Sequence, residues 1–350
     1  MRSEGTTRMN ARFESAKPLP GAAFGATVRL GSADSGALAF VAAAEKAPED
    51  LPSALADAGG LLLVQGLHEI AGEPELLLRL SRVFGPEVED YRNLLTLRSM
   101  AHEKVPEIFL VTNMVPGARP PLARPEPPLT AEGKFPVQYP HRKGWHTDQS
   151  YRRPPPDISL FYAVTPAARD RGQTLFANGT LAYDALPADL KARVEGLEGL
   201  HAQPGTGRSR DAALSGQAPR VFAPHERSQR QPVVRTHPVT GHRSLYMCEA
   251  GQMDWFEGPF VGMEPGPHGD GARLLDVLMI HYTRPEFVYV HEWQQGDLLV
   301  WDNRCLIHTA TWYDAERDKR MMWRTTVRGN PGARYAGEAR SWIPKEVAAE

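Results

Sequence analysis

The chain has 350 residues, with 40 Lys and Arg against 42 Asp and Glu, a formal net charge of −2. That balance argues against a nucleic-acid binder or a polybasic membrane binder, and a 41% hydrophobic content is ample for one large core or two ordinary ones. No apolar run reaches the roughly 18 residues of a spanning helix, MRSEGTTRMNARFESAKPLP at the start has no apolar signal core, and Cys248 and Cys305 stand in no CxxC pattern. The chain therefore reads as cytoplasmic, with reduced cysteines.

In chain order, residues 1–27 read as irregular. Helical character runs weakly from Pro48 to Gly59, and GGLLLVQGL (Gly59–Leu67) reads as a short buried strand between glycines. A helix opens at Glu73-Pro74, where proline suits the first turn; it carries Leu76, Leu77 and Leu80 and closes at Gly85. IFLVTN (Ile108–Asn113) reads as a strand. Eight prolines then fall between Pro116 and Pro140. Proline fixes φ and removes a donor, so residues 114–143 form a long loop, either a surface insertion or a lid over a pocket.

Beyond it, DISLFYAV (Asp157–Val164) and TLFAN (Thr174–Asn178) read as strands, and ALPADLKARVEGL (Ala185–Leu197) as a helix. QPVVRTHPVTGHRSLYM (Gln231–Met247) reads as a hairpin around Pro238-Val239-Thr240-Gly241, and GARLLDVLMIHYT (Gly271–Thr283) as a helix. FVYVHEWQQGDLLVWDN (Phe287–Asn303) and RMMWRTTVRG (Arg320–Gly329) again read as strands. Many short strands with interspersed helices predict a single domain over 1–350, mainly β with flanking helices, built on a double-sheet jelly roll.

The chemistry centres on GWHTDQSY (Gly144–Tyr151). In an extended chain, residues i and i+2 share a face, so His146 and Asp148 would present an imidazole and a carboxylate to one divalent cation. Among 12 histidines, His308 is the candidate third ligand, because it would sit just past the end of a strand at Asp297–Asp302. Two His and one carboxylate suit non-heme Fe(II) and leave positions open for other ligands. Arg320, Met322 and Arg324 share a face of the last strand. Two guanidiniums there imply either structural ion pairs or two anion sites. Lys and Arg exceed Asp and Glu around the Pro-rich loop, at Arg119, Arg124, Lys134, Arg142, Lys143, Arg152 and Arg153. This is either a solvated face or a steering surface for negative ligands.

GWHTDQSY, the segment from PPPDISLFYAV through RGQTLFANGTLAYDALP, QPVVRTHPVTGHRSLYM, and GDLLVWDNRCLIHTATWYDAERDKRMMWRTTVRG occur in the order and spacing of one family. The chain resembles the taurine dioxygenase (TauD/TfdA-type) family of Fe(II)- and 2-oxoglutarate-dependent dioxygenases, from about Gly144 to Gly329 and more weakly before it. The resemblance implies a double-stranded β-helix core, with His146, Asp148 and His308 as iron ligands. It places Arg320 and Thr174 on the distal carboxylate of 2-oxoglutarate, and Arg324 and Tyr151 on a small anionic substrate, a carboxylate, sulfonate or sulfate. It also implies O₂ as co-substrate, release of succinate and CO₂, and a homo-oligomer. In place of the family's usual Gly-Gly-Asp-Thr the chain has Arg171-Gly172-Gln173-Thr174. Two other readings compete: a jelly-roll module that binds metal without catalysis, and a Zn-dependent hydrolase on the same ligands, though no general base is evident.

Overall fold

The computed structural model describes residues 13–14, 16–31, 36–93, 98–115, 118, 123–124, 131, 144–216, 218, 221–222, 227–249 and 251–328. Most of the Pro-rich stretch 114–143, with its expected lid, lies outside those residues, as do residues 1–12. Lys17–Pro18 (β1) and Ala26–Thr27 (β2) pair antiparallel, which corrects the expectation of an irregular chain through residue 27. A two-residue strand is held by its backbone and leaves no side-chain alternation to read.

The helix Ala37–Lys46 (α1) was not expected. It buries Ala37, Phe40, Val41 and Ala44, a helical spacing, but its run of alanines gives little contrast between faces. Asp50–Asp57 (α2), Leu61–Val64 (β3), Glu75–Val83 (α3) and Phe109–Thr112 (β4) lie where the sequence places them. So do Ile158–Thr165 (β5) and Thr174–Asn178 (β6). The helix expected over 185–197 shortens to Ala188–Val194 (α5) behind Pro187, and a separate helix, Gly179–Asp184 (α4), precedes it. Asn178 starts α4 by accepting the amides of Thr180 and Leu181.

Glu198–His201 (β7) pairs with Gln229–Pro232 (β8), around the short helix Arg210–Leu214 (α6). Val234–Thr236 (β9) and Arg243–Leu245 (β10) make the expected hairpin, and Asp270–Tyr282 (α7) the expected helix. Val288–His291 (β11), Leu298–Asp302 (β12), Leu306–Ala310 (β13) and Met321–Val327 (β14) complete the chain.

The larger sheet runs β1-β2-β3-β12-β5-β14-β4 and the smaller β11-β6-β13. The two faces of the larger sheet have different partners. Leu62, Val64, Leu160, Tyr162, Leu298, Val300 and Trp323 pack against α1 to α3. Leu61, Leu63, Phe161, Ala163, Leu299, Trp301 and Met322 meet Phe176 and Leu306 of the smaller sheet. The smaller sheet's opposite face, with Leu175, Ala177 and Ile307, packs on α4 and α7. The order of layers is helices, sheet, sheet, helices, and the protein is mainly β. Period-two alternation is what sends each strand's neighbouring residues to different layers. Among the described residues, no helix is long and apolar enough to cross a membrane, and both cysteines are free and buried.

Candidate metal and anion site

His308 does not sit past a strand end, as its distance from Asp302 suggested. It lies within β13, because the turn 302–305 is tight: the Asp302 side chain accepts the Arg304 amide and its carbonyl accepts that of Cys305. The chain therefore returns at once as the next strand. His146 forms a single antiparallel bridge to His308, with N···O distances of 3.0 and 2.7 Å in the two directions. This rung holds the two rings 4.3 Å apart.

Asp148 joins them by a different route from the expected pleat. The chain leaves the extended conformation at Asp148 and turns, with φ of 49° at Gln149. The turn brings Asp148 Oδ1 to 3.9 Å from His146 Nε2 and 4.0 Å from His308 Nε2. Two imidazole nitrogens and one carboxylate oxygen thus converge, the donor set of a facial triad.

Two of the three groups are oriented from behind, while the buried His308 Nδ1 has no hydrogen-bond partner among the described residues. His146 Nδ1 donates to the Gly144 carbonyl at 2.5 Å, which leaves the Nε2 lone pair for a cation. Ser159 Oγ donates to Asp148 Oδ2 at 2.7 Å, and itself accepts from Asn303 Nδ2 at 3.0 Å. Asn303 Oδ1 accepts Trp301 Nε1 at 2.9 Å and the Asp148 amide at 3.2 Å. The sequence reading missed Ser159 and Asn303. Asn303 had a signal, its place at a strand-ending turn, whereas Ser159 had none beyond facing inward on β5.

Burial alone would raise the Asp148 carboxyl, but Arg324, His308, His146 and the Ser159 hydroxyl together hold it at about 2. Burial pushes His308 down to about 3, aided by His146. Burial, with repulsion from Arg235, also holds His201 at about 3. Both rings are neutral in the folded protein, yet each takes a proton near ~6.5 once unfolded. Stability is therefore fully present above pH ~6.5 and falls as pH drops toward ~3, at up to about 1.4 kcal/mol per pH unit per ring. Burial also lowers His102, and urea unfolding of chelator-treated protein between about pH 7 and pH 5 is expected to show this decline, with a shallower slope in His201→Gln. An unchanged slope in that variant would rule out His201 as one of the contributing groups.

Arg320 and Arg324 lie four residues apart with Met322 between them, on the face of the larger sheet that meets the smaller one. Their environments differ. Arg324 Nη1 donates to Asp148 Oδ1 at 2.6 Å, and its guanidinium lies 5.2 Å from the Phe109 ring centre. Tyr91 and Tyr151 stand near it, and with Asp148 they outweigh desolvation and raise its pKa. Arg320 is 5% exposed, with Phe161 and Tyr313 rings 5.8 and 5.6 Å from Cζ. It makes no ion pair among the described residues, and its buried Nε has no hydrogen-bond partner there. Burial pushes it down to about 10, still protonated at neutral pH.

Thr174 is buried in β6 and accepts Trp293 Nε1 at 2.9 Å, so its own hydroxyl proton is left to donate. The Gln173 that departs from the family pattern is locked: its amide donates to Thr311 Oγ1 at 2.9 Å and its side-chain oxygen accepts that hydroxyl at 2.6 Å.

Other candidates resolve as structure. Arg152 pairs with Glu89 at 2.6 Å, which offsets its charge, while Arg153 donates to the Arg230 carbonyl at 3.0 Å and keeps its positive charge. Arg124 lies 5.6 Å over the Trp312 ring, while Arg119, Lys134, Arg142 and Lys143 fall outside the described residues. His237, Asp302 and Cys305 also cluster. There His237 Nδ1 accepts the Val239 and Thr240 amides, which puts the proton on Nε2 facing Asp302, and Arg304 takes both Asp302 oxygens. Those groups are satisfied without a cation.

The model of the family described as "Taurine catabolism dioxygenase TauD, TfdA family" matches residues 17–326. The chain is 36% identical over 202 residues to (S)-phenoxypropionate/alpha-ketoglutarate-dioxygenase of Sphingobium herbicidovorans, covering 55% of this chain and 64% of that protein. It thus spans just under two thirds of that relative. It is 28% identical over 336 residues to pentalenolactone F synthase of Streptomyces arenae, covering 92% of this chain and 98% of that one. Among solved structures it is similar to AAD-2 in complex with Mn(II) and N-oxalylglycine, with a TM-score of 0.60 and 25% identity, covering 90% of this chain and 97% of that one.

Proposed function

This chain belongs to the TauD, TfdA dioxygenase family, and on that premise we propose that it is an Fe(II)- and 2-oxoglutarate-dependent dioxygenase. It would oxidise, most simply hydroxylate, a C–H bond of a small anionic substrate and release succinate and CO₂. The two facing sheets are read as the halves of a double-stranded β-helix. The observation that carries the reading is Arg320. A buried guanidinium with no anionic partner among the described residues is costly unless a ligand supplies the anion.

His146 Nε2, Asp148 Oδ1 and His308 Nε2 would hold the iron, and the fit rests on their convergence and on the His146 tautomer. Iron with 2-oxoglutarate and O₂ supplies the oxidising chemistry when bound. The chain's own residues bind and orient. Arg320 would pair bidentately with the distal carboxylate of 2-oxoglutarate, with Thr174 donating to it. Phe161 and Trp293, packed edge to face at 5.3 Å, exclude water around that pair. Arg324 and Tyr151 would meet the substrate's acidic group. The relatives named phenoxypropionate dioxygenase and sulfate ester dioxygenase support a carboxylate, sulfonate or sulfate.

The test is succinate release with Fe(II), ascorbate and 2-oxoglutarate, over a panel of sulfonates, aryloxy acids and alkyl sulfates. No succinate with any of them, together with no binding of 2-oxoglutarate, would overturn the reading.

Ser159→Ala isolates the support of the carboxylate. It removes a charge-assisted bond to Asp148 Oδ2 and is expected to cost about 1.5–3 kcal/mol of stability. It should also weaken divalent-cation binding about 10- to 100-fold, as loss of an outer partner of a ligand does. Calorimetric Co(II) titration beside urea unfolding checks both.

A further inference from the structure

We propose that Arg324 links the cation site to the anion site, so that divalent-cation loading and capture of the anionic substrate strengthen each other through one shared carboxylate oxygen. The proposal rests on the reading of His146, Asp148 and His308 as metal ligands. Its basis is that Asp148 Oδ1 has two claims on it. It is the oxygen facing His146 Nε2 and His308 Nε2 at 3.9 and 4.0 Å. It is also the oxygen that accepts Arg324 Nη1 at 2.6 Å. The second oxygen offers no alternative, because Ser159 Oγ occupies Oδ2 at 2.7 Å and Asn303 fixes Ser159.

One carboxylate charge can compensate one guanidinium. A divalent cation drawn to the same oxygen repels Arg324 and takes over the charge that balanced it, and the guanidinium is then left in surplus beside the site. Among the described residues no second carboxylate pairs with Arg324, and its buried Nε has no hydrogen-bond partner. Its remaining neighbours are the Phe109 ring and two tyrosines, none of which carries a negative charge at neutral pH. Among the described residues nothing else supplies that charge, so an incoming anion is the group that would balance it. By linkage, whatever factor the cation adds to anion affinity, the anion adds to cation affinity. The consequence is an order built into the residues: the protein takes its anionic substrate weakly until the cation has loaded.

The test needs no turnover. Co(II) affinity of the full chain is measured by calorimetry without 2-oxoglutarate, at constant ionic strength, with and without methanesulfonate, and with neutral dimethyl sulfone as the control. Methanesulfonate is expected to tighten Co(II) binding of the wild-type protein by a factor between about 5 and 150, the usual span of such couplings. Arg324→Gln is expected to bind Co(II) at least about tenfold more tightly than wild type without the anion, and to lose the response to methanesulfonate. Co(II) affinity that ignores methanesulfonate in the wild type overturns the linkage, and so does a response that survives in R324Q, which would place the anion elsewhere. If R324Q does not fold, Arg324→Met takes its place, and a wild-type Co(II) affinity that ignores methanesulfonate overturns the linkage without any variant. Failure of the proposed function looks different: no Co(II) binding under any condition would remove the ligand assignment, and the linkage with it.

Discussion

Arg320→Met is expected to separate folding from function. Binding of 2-oxoglutarate should weaken about 100-fold or more, since truncating one side of a buried charge pair costs roughly 2–5 kcal/mol. Succinate release at low co-substrate should fall in step. Stability without ligand should rise instead, by about 1–4 kcal/mol, the gain seen when a buried ionic group gives way to an apolar side chain of similar volume. The guanidinium sits between the Phe161 and Tyr313 rings with its Nε unpartnered, and a thioether suits that space. Equilibrium unfolding and 2-oxoglutarate titration on one sample check both signs. A variant that loses stability and co-substrate binding together would show that Arg320 is a structural ion-pair partner, the other reading its sequence allowed.

Asp148→Asn is expected to show the opposite pattern. The substitution keeps the shape but removes the charge facing Arg324 at 2.6 Å, in a side chain only 3% exposed. Breaking a buried pair from one side costs about 3–5 kcal/mol, and since Arg324 keeps some solvent contact the lower end applies. Co(II) binding and succinate release should both fall to background. The double variant D148N/R324M should recover most of the stability and none of the metal binding. This cycle assigns the loss to the stranded guanidinium rather than to misfolding. If D148N alone were as stable as wild type, the Arg324–Asp148 contact would contribute nothing.

The sequence showed most strands and longer helices because each has a clear period or a clean boundary. Leu61–Val64 lies between glycines, and Glu75–Val83 follows Pro74. It failed where backbone alone decides. Lys17–Pro18 and Ala26–Thr27 are too short for any pattern, and α1 hides in alanines. The site residues were named from motif order, but the reasons offered from spacing were wrong in two places. His308 lies on a strand because a side-chain-closed turn at Asp302 reverses the chain within three residues. Asp148 reaches the imidazoles through a turn rather than a pleat. Neither Ser159 nor Trp293 could be found from sequence, since each acts through a partner more than a hundred residues away or across two strands: Ser159 through Asn303 and Trp293 through Thr174.

The rung between His146 and His308 has an engineering consequence. Two reciprocal backbone bonds set the spacing of the rings, so it does not depend on the length or composition of the chain leading up to Gly144. Substitutions elsewhere that leave these two bonds in place should therefore keep the spacing of the two ring ligands, which Co(II) affinity would report.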